Sequence, residues 1–244
     1  RLLRNAKSPE EIAELQHLKE GLFGLVNEVL FLKHPTAQNC YSPRIALHQT
    51  RSYQELDGGQ KEALSRIYIH YFYERQESLW AERAWRKLPA IKNATKMLVC
   101  AEDLGMVPKC VPPTLDQLGI VSLNVQRMPK DPKENFFHPS RAPYMSVVTP
   151  SSHDTSTLRG WWEEARDVTR QFWHEQMHRD GEPPIFAEPW IVEDIVASHM
   201  HSPAMWAIFP IQDFIGMDGR LRFSNPQAER INVPANPKHY WRYR

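Results

Sequence analysis

The apolar run Leu98-Val99-Cys100-Ala101 stops abruptly at Glu102-Asp103-Leu104-Gly105, and a second run, Met145 to Pro150, stops at Ser151-Ser152-His153-Asp154. A carboxyl group at a strand end can donate or accept a proton, depending on how its surroundings set its pKa. Enzymes built on parallel-strand barrels carry their chemistry at the C-terminal ends of the strands, so two acidic strand ends suggest a carboxylate-based active site. Glu102-Asp103 also has a plainer reading, as carboxylates at a helix N-terminus, where the helix dipole favours them.

A competing signal is His174-Glu175-Gln176-Met177-His178. On a helix this H-E-x-x-H spacing puts two imidazoles on one face, where they could bind zinc with the Glu as general base. The helical phase opposes that use. Trp161, Ala165, Val168 and Phe172 form the apolar stripe, whereas Glu163, Asp167, Arg170, His174 and His178 fall on the charged face, and the helix is expected to break at Asp180-Gly181. A third ligand would have to come from Glu188 or Glu193. A solvated helical face is the favoured reading for His174 and His178, and equally for His199 and His201.

The elements that must position these residues change character along the chain. Ser8-Pro9-Glu10-Glu11 is a helix start, with Ser as N-cap, Pro in the first turn and Glu placed for a capping box; Ile12, Leu15, Leu18, Leu22 and Val26 keep the helical period. A Pro- and polar-rich connection from Lys33 to Leu56 with an Asp57-Gly58 turn leads to a helix over Gln60–Lys87 that ends near Pro89. Residues 1–96 therefore read as a mostly helical segment. Over 97–213 the pattern becomes strand, helix, strand, with strands expected at Met97–Ala101, Ile120–Val125, Met145–Thr149 and Ala204–Ile211 and a helix over Leu158–His178. The strands end in Glu102-Asp103, Gln126-Arg127, His153-Asp154 and Gln212-Asp213, as four βα units of half an eightfold barrel would, or as an open doubly wound sheet would. Residues 214–244 are an irregular, Pro-punctuated segment.

Composition narrows the function classes. The 244 residues are 41% hydrophobic and 24% charged, with 30 basic and 29 acidic side chains, so there is no electrostatic footprint for nucleic acid or an anionic membrane. Three cysteines, Cys40, Cys100 and Cys110, form neither an even disulfide set nor a CxxC pair, and Cys100 reads as a small buried residue; a reducing, cytoplasmic setting follows. No apolar stretch approaches the ~20 residues of a membrane helix, and the polar start has no signal-peptide core. Opening on Arg rather than Met and closing on Tyr240-Trp241-Arg242-Tyr243-Arg244, the sequence reads as a piece of a longer chain.

Several stretches carry a family resemblance. Ala101-Glu102-Asp103-Leu104-Gly105, Ser152-His153-Asp154-Thr155-Ser156-Thr157-Leu158 with Trp161-Trp162, Gln212-Asp213, Arg230-Ile231-Asn232 and Trp241-Arg242 resemble in order and spacing the amylomaltases, the 4-α-glucanotransferases of glycoside hydrolase family 77. Phe72-Tyr73-Glu74-Arg75-Gln76-Glu77, Pro203 to Pro210 and Asn236 to Tyr243 look more narrowly like the disproportionating enzyme 2 type of plant cytosol. Many members continue His-Asp with Asn-Asp-Thr; Thr155-Ser156-Thr157 departs from that in the direction of this subtype.

The resemblance implies a retaining transferase acting on maltose, maltodextrin or branched glucan, with no metal or organic cofactor. It implies an α/β fold, the C-terminal half (about strands 5 to 8) of a (β/α)8 TIM barrel preceded by a mostly helical segment. Glu102 falls on the acid/base position and Asp154 on the transition-state stabiliser; the carboxylate nucleophile has no candidate here and is expected upstream of Arg1, in the other half of the catalytic domain. Burial beside Leu104 and the charge of Asp103 are expected to raise the pKa of Glu102 for its acid role. His153 is expected on the sugar, Asn232 near the glucan groove, and Asp103, Arg127 and Gln212 on substrate or on its surroundings; Asp213 is equally placed to cap a helix. Trp241 and Tyr240 are stacking candidates, because the Pro-rich 214–244 segment is expected to line the groove, whereas Trp161 and Trp206 read more readily as core. Two other readings remain open, a non-catalytic glucan-binding fragment and a zinc hydrolase through His174 and His178.

Overall fold

In a computed structural model, which describes residues 8–105 and 107–242, the chain forms two compact units, residues 1–80 and 81–244. Tyr243 of the resemblance lies outside the described residues.

In the first unit α1 spans Pro9–Asn27, and Ser8 Oγ accepts the Glu11 N–H at 3.2 Å as the Ser-Pro start predicts. None of its side chains is buried, so the apolar positions Leu18, Leu22, Phe23, Leu25 and Val26 face outward. The Lys33–Leu56 connection is more ordered than expected. It contains an antiparallel pair, β1 (Phe31–Lys33) with β2 (Tyr41–Pro43), and a short helix α2 (Arg51–Gln54) capped by Thr50. Asp57-Gly58 is no turn: Asp57 is the N-cap of α3 (Gly58–Ile69), its Oδ1 accepting the Gln60 N–H at 2.8 Å while Gln60 Oε1 accepts the Asp57 N–H at 3.2 Å. Asp satisfies a helix start by the same side-chain acceptor that favours it in turns, so the dipeptide alone does not separate the two.

One turn of π-helix (His70–Arg75) leads into α4 (Gln76–Asn93), within which the boundary between the units falls. The helix passes through Pro89, where the sequence predicts its end. Proline forfeits its own N–H bond and crowds the preceding turn, but Ala94 still reaches the carbonyls of Ala90 and Ile91 at 3.1 and 3.2 Å, so bonding resumes beyond it.

The second unit is mixed α/β. After α5 (Val111–Leu118), β3 (Ser122–Val125), β4 (Ser146–Thr149) and β5 (Trp206–Ala207) form a parallel sheet in that order. The predicted strand Met97–Ala101 is reduced to a parallel bridge, with the Ala101 N–H on Val121 O at 2.8 Å and the Val121 N–H on Val99 O at 2.9 Å. With pairing to one side, Cys100 is exposed, against the expectation of a buried residue. The predicted strand Ala204–Ile211 is two residues long, and it cannot run past Pro210, which lacks an N–H and stands at the N-cap of α9 (Ile211–Ile215).

Between β4 and β5 the expected single helix Leu158–His178 is two, α6 (Leu158–Glu164) and α7 (Arg166–Glu175), broken by an extended Ala165 (φ −143°, ψ 100°). Thr169 Oγ1 lies 2.8 Å from Trp162 O, to which it can give its proton, and 3.0 Å from Ala165 O, which already accepts the Thr169 N–H. The core of this unit joins Leu158, Trp162, Phe172 and Trp173 from these helices to Ile191, Val192 and Ile195 of α8 (Pro189–Met200). Trp161 packs against that cluster, as the core reading expects; Trp206 is exposed.

His199 in α8 is not on a solvated face, as expected, but 1% exposed, with Nδ1 donating to Ile195 O at 2.8 Å. Burial pushes its pKa down to about 4. An unfolded chain would take up this proton near pH 6.5 and the folded one near 4, so the unfolded state binds more protons between those values. Stability should therefore fall as pH drops through that window, by up to ~3 kcal/mol from this residue. Urea melts of the parent and His199→Leu at pH 7 and pH 4.5 check it: the acid loss should shrink in the variant, and an undiminished loss would assign it to other groups.

Candidate active site

The loop that follows β4 is held by two side chains, Arg127, expected on substrate or its surroundings, and Asp213, expected equally to cap a helix. Arg127, two residues past the end of β3 at Val125, donates from Nε to Pro150 O (3.0 Å) and from Nη2 to Thr155 Oγ1 (3.1 Å) and Ser156 O (2.5 Å), with its guanidinium 5.1 Å from the centre of the Trp161 ring. Burial lowers its pKa to about 10, and the Asp213 carboxylate is the foremost opposing influence. Asp213, itself buried, accepts the Ser151 hydroxyl at 2.7 Å and the Leu158 N–H at 2.9 Å, joining the end of β4 to the first residue of α6. Burial raises its pKa, and the donors on it work the other way. The helix it caps is thus α6, reached across the fold, while it sits in the first turn of its own helix α9.

So fixed, the loop presents His153 and Asp154 outward, their side chains 55% and 57% exposed, with His153 Nε2 3.2 Å from Asp154 Oδ2. Asn232 Nδ2 donates to Asp154 Oδ1 at 2.8 Å, and the Trp241 ring lies 5.3 Å from the His153 ring at 48°. Four of the residues singled out in the sequence, His153, Asp154, Asn232 and Trp241, therefore touch one another at the C-terminal end of one strand. A carboxylate, a carboxamide, an imidazole and an exposed indole together offer acceptors and donors for vicinal hydroxyls and an apolar face for the C–H side of a sugar ring.

Glu102 follows the bridged segment at Cys100 and is exposed. The apolar burial expected to surround it is absent from this chain. One strand, β3, separates its segment from β4, so the two strand axes lie roughly 10 Å apart. Asp103 turns the other way. It is buried, with Oδ1 accepting the Leu123 N–H at 2.7 Å and Oδ2 paired with Lys130 Nζ at 2.5 Å, which ties the end of Glu102's segment to β3 and the loop beyond it. Gln212 is buried and donates to Glu229 O at 3.3 Å. Asp103, Arg127 and Gln212 thus face protein partners and are not brought into the His153 cluster.

Two acids close by, the buried Glu229 and the exposed Glu164, escape sequence reasoning. Glu229 is 1% exposed and pairs with Arg159 of α6; burial raises its pKa while Arg159 opposes the rise. Glu164 accepts the Ser156 hydroxyl and the Gln227 carboxamide. Glu229 immediately precedes Arg230-Ile231-Asn232, and that adjacency is the signal that could have drawn notice to it.

The H-E-x-x-H residues do not form a helical pair. α7 ends at Glu175, before the predicted break at Asp180-Gly181; His174 Nδ1 bonds Arg179 O at 2.8 Å, and His178 lies past the helix with φ 52°, its ring stacked on His138. His178 is exposed but off the helical face assigned to it. Among the described residues no group of three or more His, Cys, Asp or Glu side chains could hold a metal ion.

Comparison with known proteins adds an independent line. The glycoside hydrolase family 77 model, described as 4-alpha-glucanotransferase, matches residues 26–244. The chain is 40% identical over 227 residues to the 4-alpha-glucanotransferase DPE2 of Oryza sativa subsp. japonica, covering 93% of this chain and 24% of the rice protein. It is 31% identical over 160 residues to a 4-alpha-glucanotransferase of Chlamydia pneumoniae, covering 64% of this chain and 30% of that one. A solved amylomaltase from Streptococcus agalactiae in complex with acarbose is similar at a TM-score of 0.46 and 19% identity, over 64% of this chain and 30% of that one. The chain spans about a quarter to a third of the length of these relatives. By the family match over most of its length and by its likeness to the rice protein, the chain belongs to glycoside hydrolase family 77, the 4-α-glucanotransferases.

Proposed function

We propose that this chain is part of a 4-α-glucanotransferase that moves α-1,4-glucosyl units from maltose or a short maltodextrin to a glucan acceptor, releasing glucose when maltose is the donor. The observation that carries the reading is the contact cluster of His153, Asp154, Asn232 and Trp241 at the end of a parallel strand, in a chain of this family. The parallel order of the segments around Cys100, β3, β4 and β5 supports reading them as strands five to eight of a (β/α)8 barrel, with the 214–244 segment along the glucan groove.

Glu102 protonates the glycosidic oxygen as a carboxylate on the upstream part of the protein attacks the anomeric carbon, and the sugar is held as a covalent ester. Glu102, now ionised, removes the proton from an acceptor hydroxyl, whose oxygen displaces the ester with overall retention. Asp154 and His153 hold the hydroxyls of the ring that flattens between these steps, and no cofactor takes part. We place the protein in the cytoplasm, a compartment whose reducing conditions keep thiols such as those of Cys40 and Cys100 unpaired; no helix among the described residues is long and apolar enough to cross a membrane.

The test is incubation with maltose of two preparations, the isolated 244-residue chain and the same chain joined to the upstream part of its catalytic domain. The joined form should yield glucose and longer maltodextrins. The isolated chain should yield neither and should self-associate, since Met97, Leu98, Trp206 and Ile208 all lie exposed on it. Maltose disproportionation by the isolated chain, or glucan binding without transfer by the joined form, would overturn the proposal.

A further inference from the structure

We propose that the buried Arg159–Glu229 ion pair is a positioning device, which sets Asn232 against Asp154 and so orients the carboxylate that faces the sugar. The inference rests on the transferase reading.

Helix α6 carries both ends of the arrangement. It starts four residues after Asp154, and two of its side chains grip the segment that delivers Asn232. Arg159 holds the Glu229 carboxylate, which also accepts the Phe223 N–H at 3.2 Å. One turn further along, Glu164 lies 3.7 Å from Arg230 Nη1 and accepts Gln227 Nε2 at 3.2 Å, while the same carboxylate takes the hydroxyl of Ser156, two residues beyond Asp154. From below, Gln212 donates to Glu229 O. Asp154 and Asn232 are 78 residues apart in sequence, yet both are referred to a single helix within a few residues of their 2.8 Å contact.

Stability alone does not account for an ion pair at this place. Its side chains are 7% and 1% exposed, and Arg159 Nε and Glu229 Oε2 are buried without a hydrogen-bond partner. Burying two charges with part of their bonding capacity unmet costs more than a packed apolar pair of similar size, which is often as stable or more so. What the charged pair supplies and an apolar pair lacks is direction. The guanidinium and the Phe223 N–H converge on one oxygen, Oε1, of the Glu229 carboxylate, three residues before Asn232.

The experiment is a mutant cycle in the complete catalytic domain, with kcat and KM for maltose and the melting temperature read for Glu229→Gln, Asn232→Ala and the two combined. Glu229→Gln should lower kcat by about 10-fold with KM within about 2-fold, whereas on the Asn232→Ala background the same change should cost less than about 2-fold in kcat. The drop in melting temperature from Glu229→Gln should be alike in both backgrounds, which separates positioning from a merely structural role. Equal losses of kcat in the two backgrounds, or a loss confined to KM, would overturn the proposal. If Glu229→Gln fails to fold, the pair Arg159→Leu with Glu229→Leu takes its place: it should melt near the parent temperature and still show reduced kcat, and parental kcat in it would refute the positioning role. A parent that transfers no glucosyl units defeats the transferase reading and this inference together; an active parent with independent losses defeats this inference alone.

Discussion

Glu102→Gln in the complete catalytic domain should lower kcat on maltose by about 10²- to 10⁴-fold, the range that positioned acid/base groups contribute. The amide cannot give the glycosidic oxygen its proton, so the departing glucose would leave as an alkoxide. A donor whose leaving group is already acidic, such as an aryl glucoside, needs no such proton and should suffer less in the first step. Transfer to the acceptor would still be slow, since the amide cannot take the acceptor's proton, and the covalent intermediate should accumulate as a burst. Glu102 is exposed and the replacement is nearly isosteric, so the melting temperature should not move, and any rate loss is chemical. Near-parental rates on both donors would remove Glu102 from the acid/base role.

Glu102 stands out in the amino-acid sequence because strand ends are marked by a local event, an apolar run giving way to charge, and the runs before Glu102 and His153-Asp154 are of that kind. Helix entry at Ser8-Pro9 is legible for the same reason, because capping is decided within four residues. Properties set by distant partners are not. Asp103 reads as a second acid until Leu123 and Lys130, 20 and 27 residues away, close on its two oxygens. His199 has the polar sequence of a surface residue and is buried because α8 packs that side inward, under Phe209. The break at Ala165 has no Pro or Gly to announce it; Thr169, a residue of moderate helix propensity, supplies a hydroxyl to Trp162 O across the broken turn. The resemblance singles out Asn232 and Trp241, but their contacts with Asp154 and His153 require the second unit to be folded, since the partners lie 78 and 88 residues apart in sequence.

Asp154→Asn is expected to reduce kcat by about 10²- to 10³-fold with a much smaller rise in KM, the signature of an interaction made mainly in the transition state. In the free protein the two carboxylate oxygens are approached from opposite sides, Oδ1 by the Asn232 carboxamide and Oδ2 by the His153 ring. Asparagine puts a donor NH2 where aspartate has a second acceptor oxygen, so either the Asn232 carboxamide or the His153 ring must turn to offer it an acceptor. The side chain would lose both its charge and its fixed orientation. In the ground state a sugar bound through several hydroxyls and the Trp241 face tolerates this, and KM changes little. As the ring flattens toward an oxocarbenium ion, the hydroxyls become more acidic and positive charge gathers nearby, and both changes call on a full negative charge at this position. Steady-state rates on a maltodextrin series, with kcat and KM separated, check the expectation. An effect confined to KM would reduce Asp154 to a binding residue and leave the charge at the anomeric centre without a stabiliser on this part of the protein.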